Sequence, residues 1–241
     1  MKILAQVIDN LLRGDISFSP DADRKHGVPT LTMVLGILLL GGIYGAAMGA
    51  FGVLQGKEDS WLQPFAGALK VPALGLLTLA VTYPSLYVFN ALLGSRMDVK
   101  TTLQLVLAGL VVMQAVLASF SPIVLFFSLT TTSYVFVKLL HVAIFAISGF
   151  LGLSFVLRVL RRVTAQLQAK ERPEGERIDS ERSAKLVFRF WVAVFGFVGA
   201  EMSWALRPFI GGGTPAWFRD RSGSFFESVW SSLVQLLSRS P

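Results

Sequence analysis

The 241-residue chain has no cysteine, only two histidines and few charges, and each shortage excludes something. Without cysteine there is no disulfide framework, no thiolate chemistry and no cysteine-ligated zinc. With His26 and His141 as the only histidines, a histidine-rich metal centre cannot be assembled within one chain. Asp, Glu, Lys and Arg make up 15% of the residues, against roughly 25% in soluble chains. A soluble domain with so few charges would fail to cover its own surface. A disordered chain is excluded because 53% of the residues are hydrophobic. The glycine loops that cradle phosphates or dinucleotides, the H-E-x-x-H zinc helix and the G-x-S-x-G nucleophile elbow are all missing. No catalytic residue, metal site or cofactor is therefore expected.

What is there is hydrocarbon in long runs. The mean hydropathy is +0.61. A helix needs about 20 apolar residues to cross about 30 Å of hydrocarbon. Residues 28–54, 71–93 and 101–127 contain no charge, 133–157 contains only Lys138 and His141, and 190–206 contains only Glu201. The expected fold is an all-α integral membrane protein, a bundle of five transmembrane helices. The net charge of +7 does not call for a nucleic acid, because cytoplasmic loops carry excess Lys and Arg in any case. The expected surroundings are the lipid bilayer.

Orientation follows from the positions of Lys and Arg. Fifteen fall before span one, between two and three and in the basic segment 158–189, and six fall in the alternate segments. The asymmetry predicts a cytoplasmic N-terminus and an outer C-terminus. Trp191 and Trp204 fall at the two edges of span five, where amphipathic rings prefer to sit. Within 1–27, Ile3, Leu4, Val7, Ile8, Leu11 and Leu12 recur at helical spacing opposite Lys2, Gln6, Asp9, Asn10 and Arg13. That is an amphipathic helix on the cytoplasmic face, or one packed on the protein's own loops. Residues 169–183, with Pro173 and Gly175, predict a mobile loop. Arg158, Arg161 and Arg162 beside it are placed to meet anionic head groups, or simply to set topology. In the outer tail 207–241, Gly211, Gly212 and Gly213 make a joint. Ser224 and Glu227 then have capping-box spacing ahead of Phe226, Val229, Trp230, Leu233 and Leu237. This predicts a second interfacial helix, or a docking helix for a partner.

Inside the spans, three features stand out. Gly41, Gly45 and Gly49 are spaced by four, with Gly42 and Ala46 beside them. Such a small-residue stripe lets helix backbones approach closely, either within this bundle or against another subunit. Pro84 cannot donate to the carbonyl four residues back, so a kink is expected there. In span four, Tyr134, Lys138, His141, Ser148 and Gly152 share a narrow sector at 100° per residue, so that face is expected to meet protein or water. Lys138 and Glu201 lie at matching depths in their spans and are expected to pair.

Tyr83 to Asn90 (Tyr-Pro-Ser-Leu-Tyr-Val-Phe-Asn) and Glu201 to Gly211 (Glu-Met-Ser-Trp-Ala-Leu-Arg-Pro-Phe-Ile-Gly) resemble small uncharacterised bacterial polytopic membrane proteins of the Yip1-like grouping. The resemblance covers roughly 71–211. It implies an all-helical protein of the bacterial inner (plasma) membrane without established enzymatic activity, and it brings no catalytic residue. The leading expectation is a non-enzymatic scaffold or accessory subunit that associates with itself, as a homo-oligomer, or with another membrane protein. The alternative is a small transporter or ion-conducting protein using the polar face of span four.

Overall fold

Apolar residues in unbroken runs leave the backbone to satisfy its own N–H and C=O groups, and a helix does this within one segment. The computed structural model of the chain describes Asp9 and residues 30–56, 60–92, 99–169, 174–207, 209–210 and 223–238. Its elements are α1 (Thr30–Leu54), a 3₁₀ turn (Ser60–Leu62), α2 (Gln63–Leu92), α3 (Val99–Ser119), α4 (Ser121–Thr130), α5 (Tyr134–Ala169), α6 (Glu174–Ala205) and α7 (Phe225–Ser238). No strand occurs among the described residues. Four segments are long and apolar enough to cross a membrane: Thr30–Leu54, Ser60–Ser85, Lys100–Thr130 and Tyr134–Val159. The apolar part of α6, Phe190–Ala205, is shorter. Apart from Asp9, the helix expected in 1–27 lies outside the described residues, as does the joint at Gly211, Gly212 and Gly213.

Helix α1 is the centre of the bundle and packs along α2, α3 and α4. Its glycines decide how closely. A Cβ built on Gly45 would fall on the carbonyl oxygen of Gly67, and one built on Gly49 would fall on that of Gln63. One on Gly41 would meet Gln114 Oε1 at 2.9 Å and Pro72 Cβ at 3.1 Å. Gly42 lies beside the Ala68 carbonyl. The stripe is thus spent inside the chain, mostly on α2. Helices α3 and α5 approach through a second glycine pair: a Cβ on Gly152 would lie 2.9 Å from the Gly109 carbonyl oxygen. Two buried clusters fill the interior. One gathers Met33, Ile37, Leu105, Leu110, Trp191 and Phe195, the other Tyr44, Phe51, Val71, Leu117, Ile144 and Phe209.

Several boundaries differ from those the hydropathy implies. Helix α2 starts at Gln63, not 71, so Lys70 is a helical residue and only 4% exposed. Its ammonium lies 5.9 Å from the centroid of the Phe209 ring. Helix α2 runs on through Pro72 and Pro84. Beside Pro84, Thr78, Thr82 and Ser85 each donate a hydroxyl to a carbonyl on the preceding turn, at 2.7–2.8 Å. The span expected at 101–127 is two helices, because Pro122 has no N–H for the carbonyl of Ala118. At the junction the Phe120 N–H is shared between the carbonyls of Val116 and Leu117. The segment expected as a loop at 158–189 is largely helical, since α5 continues to Ala169 and α6 begins at Glu174. Charge spacing accounts for this. Arg177–Glu181 and Glu181–Lys185 are i,i+4 pairs in sequence, and Glu174 and Glu176 sit in the first turn.

The contact between α1 and α2 yields a direct test. Gly45→Leu forces the two backbones apart and should cost about 3 kcal/mol, lowering Tm in detergent by roughly 6–12 °C. Gly196→Ala on α6, where a Cβ meets nothing within 4 Å, should leave Tm unchanged or raised.

Candidate functional site: a polar column inside the bundle

The polar sector of span four becomes the inward face of α5, and the structure gives each of its members a different environment. Tyr134, at the first turn, is 45% exposed. Lys138, one turn on, points at α7: its Nζ donates to the Ser228 carbonyl at 2.9 Å, to the Ser232 hydroxyl at 2.9 Å and to the Ser228 hydroxyl. Three ammonium protons meet three neutral oxygens. This corrects the expected ion pair, because Lys138 is held by α7 and not by Glu201. Glu201 is half-buried on α6. Matching depth did not decide the partner: α7 packs on α5 and brings Ser228 and Ser232 to Lys138.

His141, only 2% exposed, lies one turn deeper. Its Nδ1 is 2.8 Å from the Tyr44 hydroxyl of α1. The two rings meet edge-on at 5.7 Å between centroids, and Phe145 meets Tyr44 in the same way at 5.6 Å. Ser148 is fully buried. Three buried polar atoms here have no hydrogen-bond partner among the described residues: His141 Nε2, Ser148 Oγ and, from α3, Gln114 Oε1. Gln114 is 1% exposed and sits against Gly41, one turn along α1 from Tyr44. A buried polar atom without a partner is costly in any protein interior and more so in lipid.

Helix α7 closes the end of this column. The Glu227 N–H donates to the Ser224 hydroxyl at 3.3 Å, the cap its spacing predicts. Trp204 Nε1 donates to the Gly223 carbonyl at 2.8 Å, and the Arg207 guanidinium lies 3.7 Å from the Trp204 ring centroid. Phe197 of α6 stacks on Phe226 at 5.6 Å. Phe226, Trp230 and Leu237 are exposed.

The remaining candidates are distributed as follows. Gly41, Gly45 and Gly49 are buried and Gly42 and Ala46 half-buried, on the faces of α1 that meet its neighbours. Arg158 is exposed on α5, and the side chains of Arg161 and Arg162 lie outside the described ones. Trp191 is not at a surface: it is fully buried and donates from Nε1 to the Thr82 carbonyl at 3.0 Å. Reading the sequence alone missed Tyr44, Gln114, Ser228 and Ser232. Gln114 carried a signal, being an amide in the middle of a charge-free run. The two serines did not, since each is ordinary on the polar side of an amphipathic helix. No group of three or more His, Asp or Glu residues able to hold a metal occurs among the described residues.

No family model, curated protein or solved structure matches the chain.

The partners of Lys138 and His141 give separable expectations. Tyr44→Phe leaves Nδ1 unpaired and should cost about 1–3 kcal/mol. In double-mutant cycles, Lys138→Met should couple to Ser232→Ala by about 1 kcal/mol, whereas Lys138→Met and Glu201→Gln should add to within about 0.5 kcal/mol. Denaturation in one detergent, followed by tryptophan fluorescence, reads both.

Proposed function

We propose that the chain is a five-span membrane protein with a cytoplasmic N-terminus, acting as a non-enzymatic scaffold or accessory subunit that binds another membrane protein or a second copy of itself. The bacterial inner membrane is the setting the sequence resemblance implies. Support for a fifth span comes from α6. Trp191 bonds to Thr82, Gly199 lies beside Thr78, and Phe209 lies near Lys70. The apolar part of α6 therefore runs antiparallel to α2 along the length over which α2 is apolar. In this reading α7 lies at the outer interface, its Phe226, Trp230 and Leu237 facing lipid.

The observation that carries the scaffold reading is the uncovered flank of α5. The glycines of α1 are consumed by α2, so the expected docking stripe is not available to a partner. Gly149 of α5 is different: a Cβ built there meets nothing within 4 Å. The next residue, Phe150, is 70% exposed. In lipid, where helices gain nothing by hydrophobic contact, a small residue with open space is where another backbone can approach. Gly196 of α6 offers the same space. The second reading, a relay or conduction role, draws on the unpartnered atoms of His141, Ser148 and Gln114.

Two measurements test these readings. The chain has no cysteine, so single cysteines placed in 174–183 and beyond Gly213 can be labelled directly in cells. The first should be reached only from the cytoplasm and the second only from outside; labelling on one side would remove the fifth span. Purification in mild detergent should bring down a stoichiometric partner or a dimer. Gly149→Leu, at a position where a Cβ meets nothing within 4 Å, should lose that species at unchanged Tm. Retention of it by the variant would place the partner elsewhere and overturn the α5 surface.

A further inference from the structure

The unpartnered atoms of the polar column lie in successive layers of the bundle. Tyr44 touches both His141 and Phe145, which sets the level of α1 against α5. Gly41, three residues along α1 and so about 4.5 Å deeper, lies against Gln114 Oε1. Ser148 is seven residues beyond His141, about 10 Å deeper along α5. Gln114 Oε1 and Ser148 Oγ therefore occupy neighbouring layers, with His141 Nε2 above them. The three have complementary roles. The Tyr44 hydroxyl and Nδ1 share one proton in their hydrogen bond; in the tautomer where the hydroxyl donates, the ring proton sits on Nε2, which then needs an acceptor. Gln114 Oε1 can only accept, and the Ser148 hydroxyl can do either. A donor, an acceptor and an amphoteric group spread over about 10 Å of depth are too far apart for all three to satisfy one another directly. A string of about two or three molecules that both donate and accept would satisfy all of them.

We propose that the junction of α1, α3 and α5 is an internal water-binding site, accepting from His141 Nε2 and donating to Gln114 Oε1, with Ser148 Oγ as its third protein partner. Its route to bulk water is the end of the column where Lys138 holds α7. Lys138 is one turn above His141 on the same face of α5, and its hydrogen bonds among the described residues go to Ser228 and Ser232. Those oxygens belong to a separate helix packed on the bundle end, so α7 is the cap on the water path. The site is independent of the partner surface on α5: loss of the partner with Gly149→Leu would leave it untouched.

The test uses the full chain in nanodiscs with ¹⁵N-histidine. Only His26 and His141 give signals, and His141→Phe assigns them. The probe is water itself. The Nε2–H of His141 should show a cross-peak to a long-lived water proton, and Ser148→Ala, a small change that spares the fold, should weaken it. In D₂O the Nε2–H should exchange at least tenfold faster when Ser228→Ala and Ser232→Ala together release α7. An Nε2–H without a water cross-peak, exchanging equally slowly in both backgrounds, would show a dry, sealed core and overturn the site. A water cross-peak with exchange unaffected by the double substitution would overturn the path past α7.

Discussion

The structure depends on how closely α1 and α2 approach. Backbone touches backbone where Gly45 faces Gly67, and no side chain fits between them. In a medium that rewards no hydrophobic contact, such packing is what holds neighbouring helices together. It also sets the depth of everything α1 carries. Tyr44 adjoins Gly45 in sequence, and its hydroxyl reaches His141 because α1 has settled at that level. Gly41, on the same helix, admits the Gln114 amide. The polar column is thus a by-product of glycine packing two turns long.

The arrangement of polar groups follows one rule. The column is graded from charge at one end to neutral groups within. Lys138 is placed where a surface helix can supply oxygens, His141 takes a phenol, and Ser148 and Gln114 lie where protein alone leaves them short. The choice of neutral oxygens for Lys138 matters. Three hydroxyl and carbonyl acceptors solvate an ammonium without adding a second buried charge, avoiding the desolvation that a carboxylate would have brought. Glu201 stays half-buried on α6.

Much of this was legible in the residues. Charge-free runs gave helices, the Ser224–Glu227 spacing gave the cap of α7, and the 100° sector gave the inward face of α5. What escaped notice depends on contacts between distant segments. Lys138 and Ser228 are 90 positions apart, and no local pattern marks either serine as a ligand for an ammonium. Hydropathy misplaced the start of α2 because Lys70 looks like a loop residue until its ammonium is seen against Phe209. It joined α3 to α4 because an average over apolar residues does not register the missing N–H of Pro122. It also made a loop of Glu174–Ser183, where opposite charges at helical spacing support a helix that no hydropathy average registers.

The link between Lys138 and α7 has a consequence in time. Synthesis proceeds at roughly 5–20 residues per second, so the 90 positions between Lys138 and Ser228 take about 5–18 s to emerge. Throughout that interval α5 exists and its clasp does not. The lysine must spend those seconds with its stem along the helix and its head in surface water, as long cationic side chains do near helix ends. Placement one turn from the end of α5 makes this delay tolerable; two turns deeper, at the level of Phe145, the nascent helix would hold a bare charge in hydrocarbon until α7 emerged.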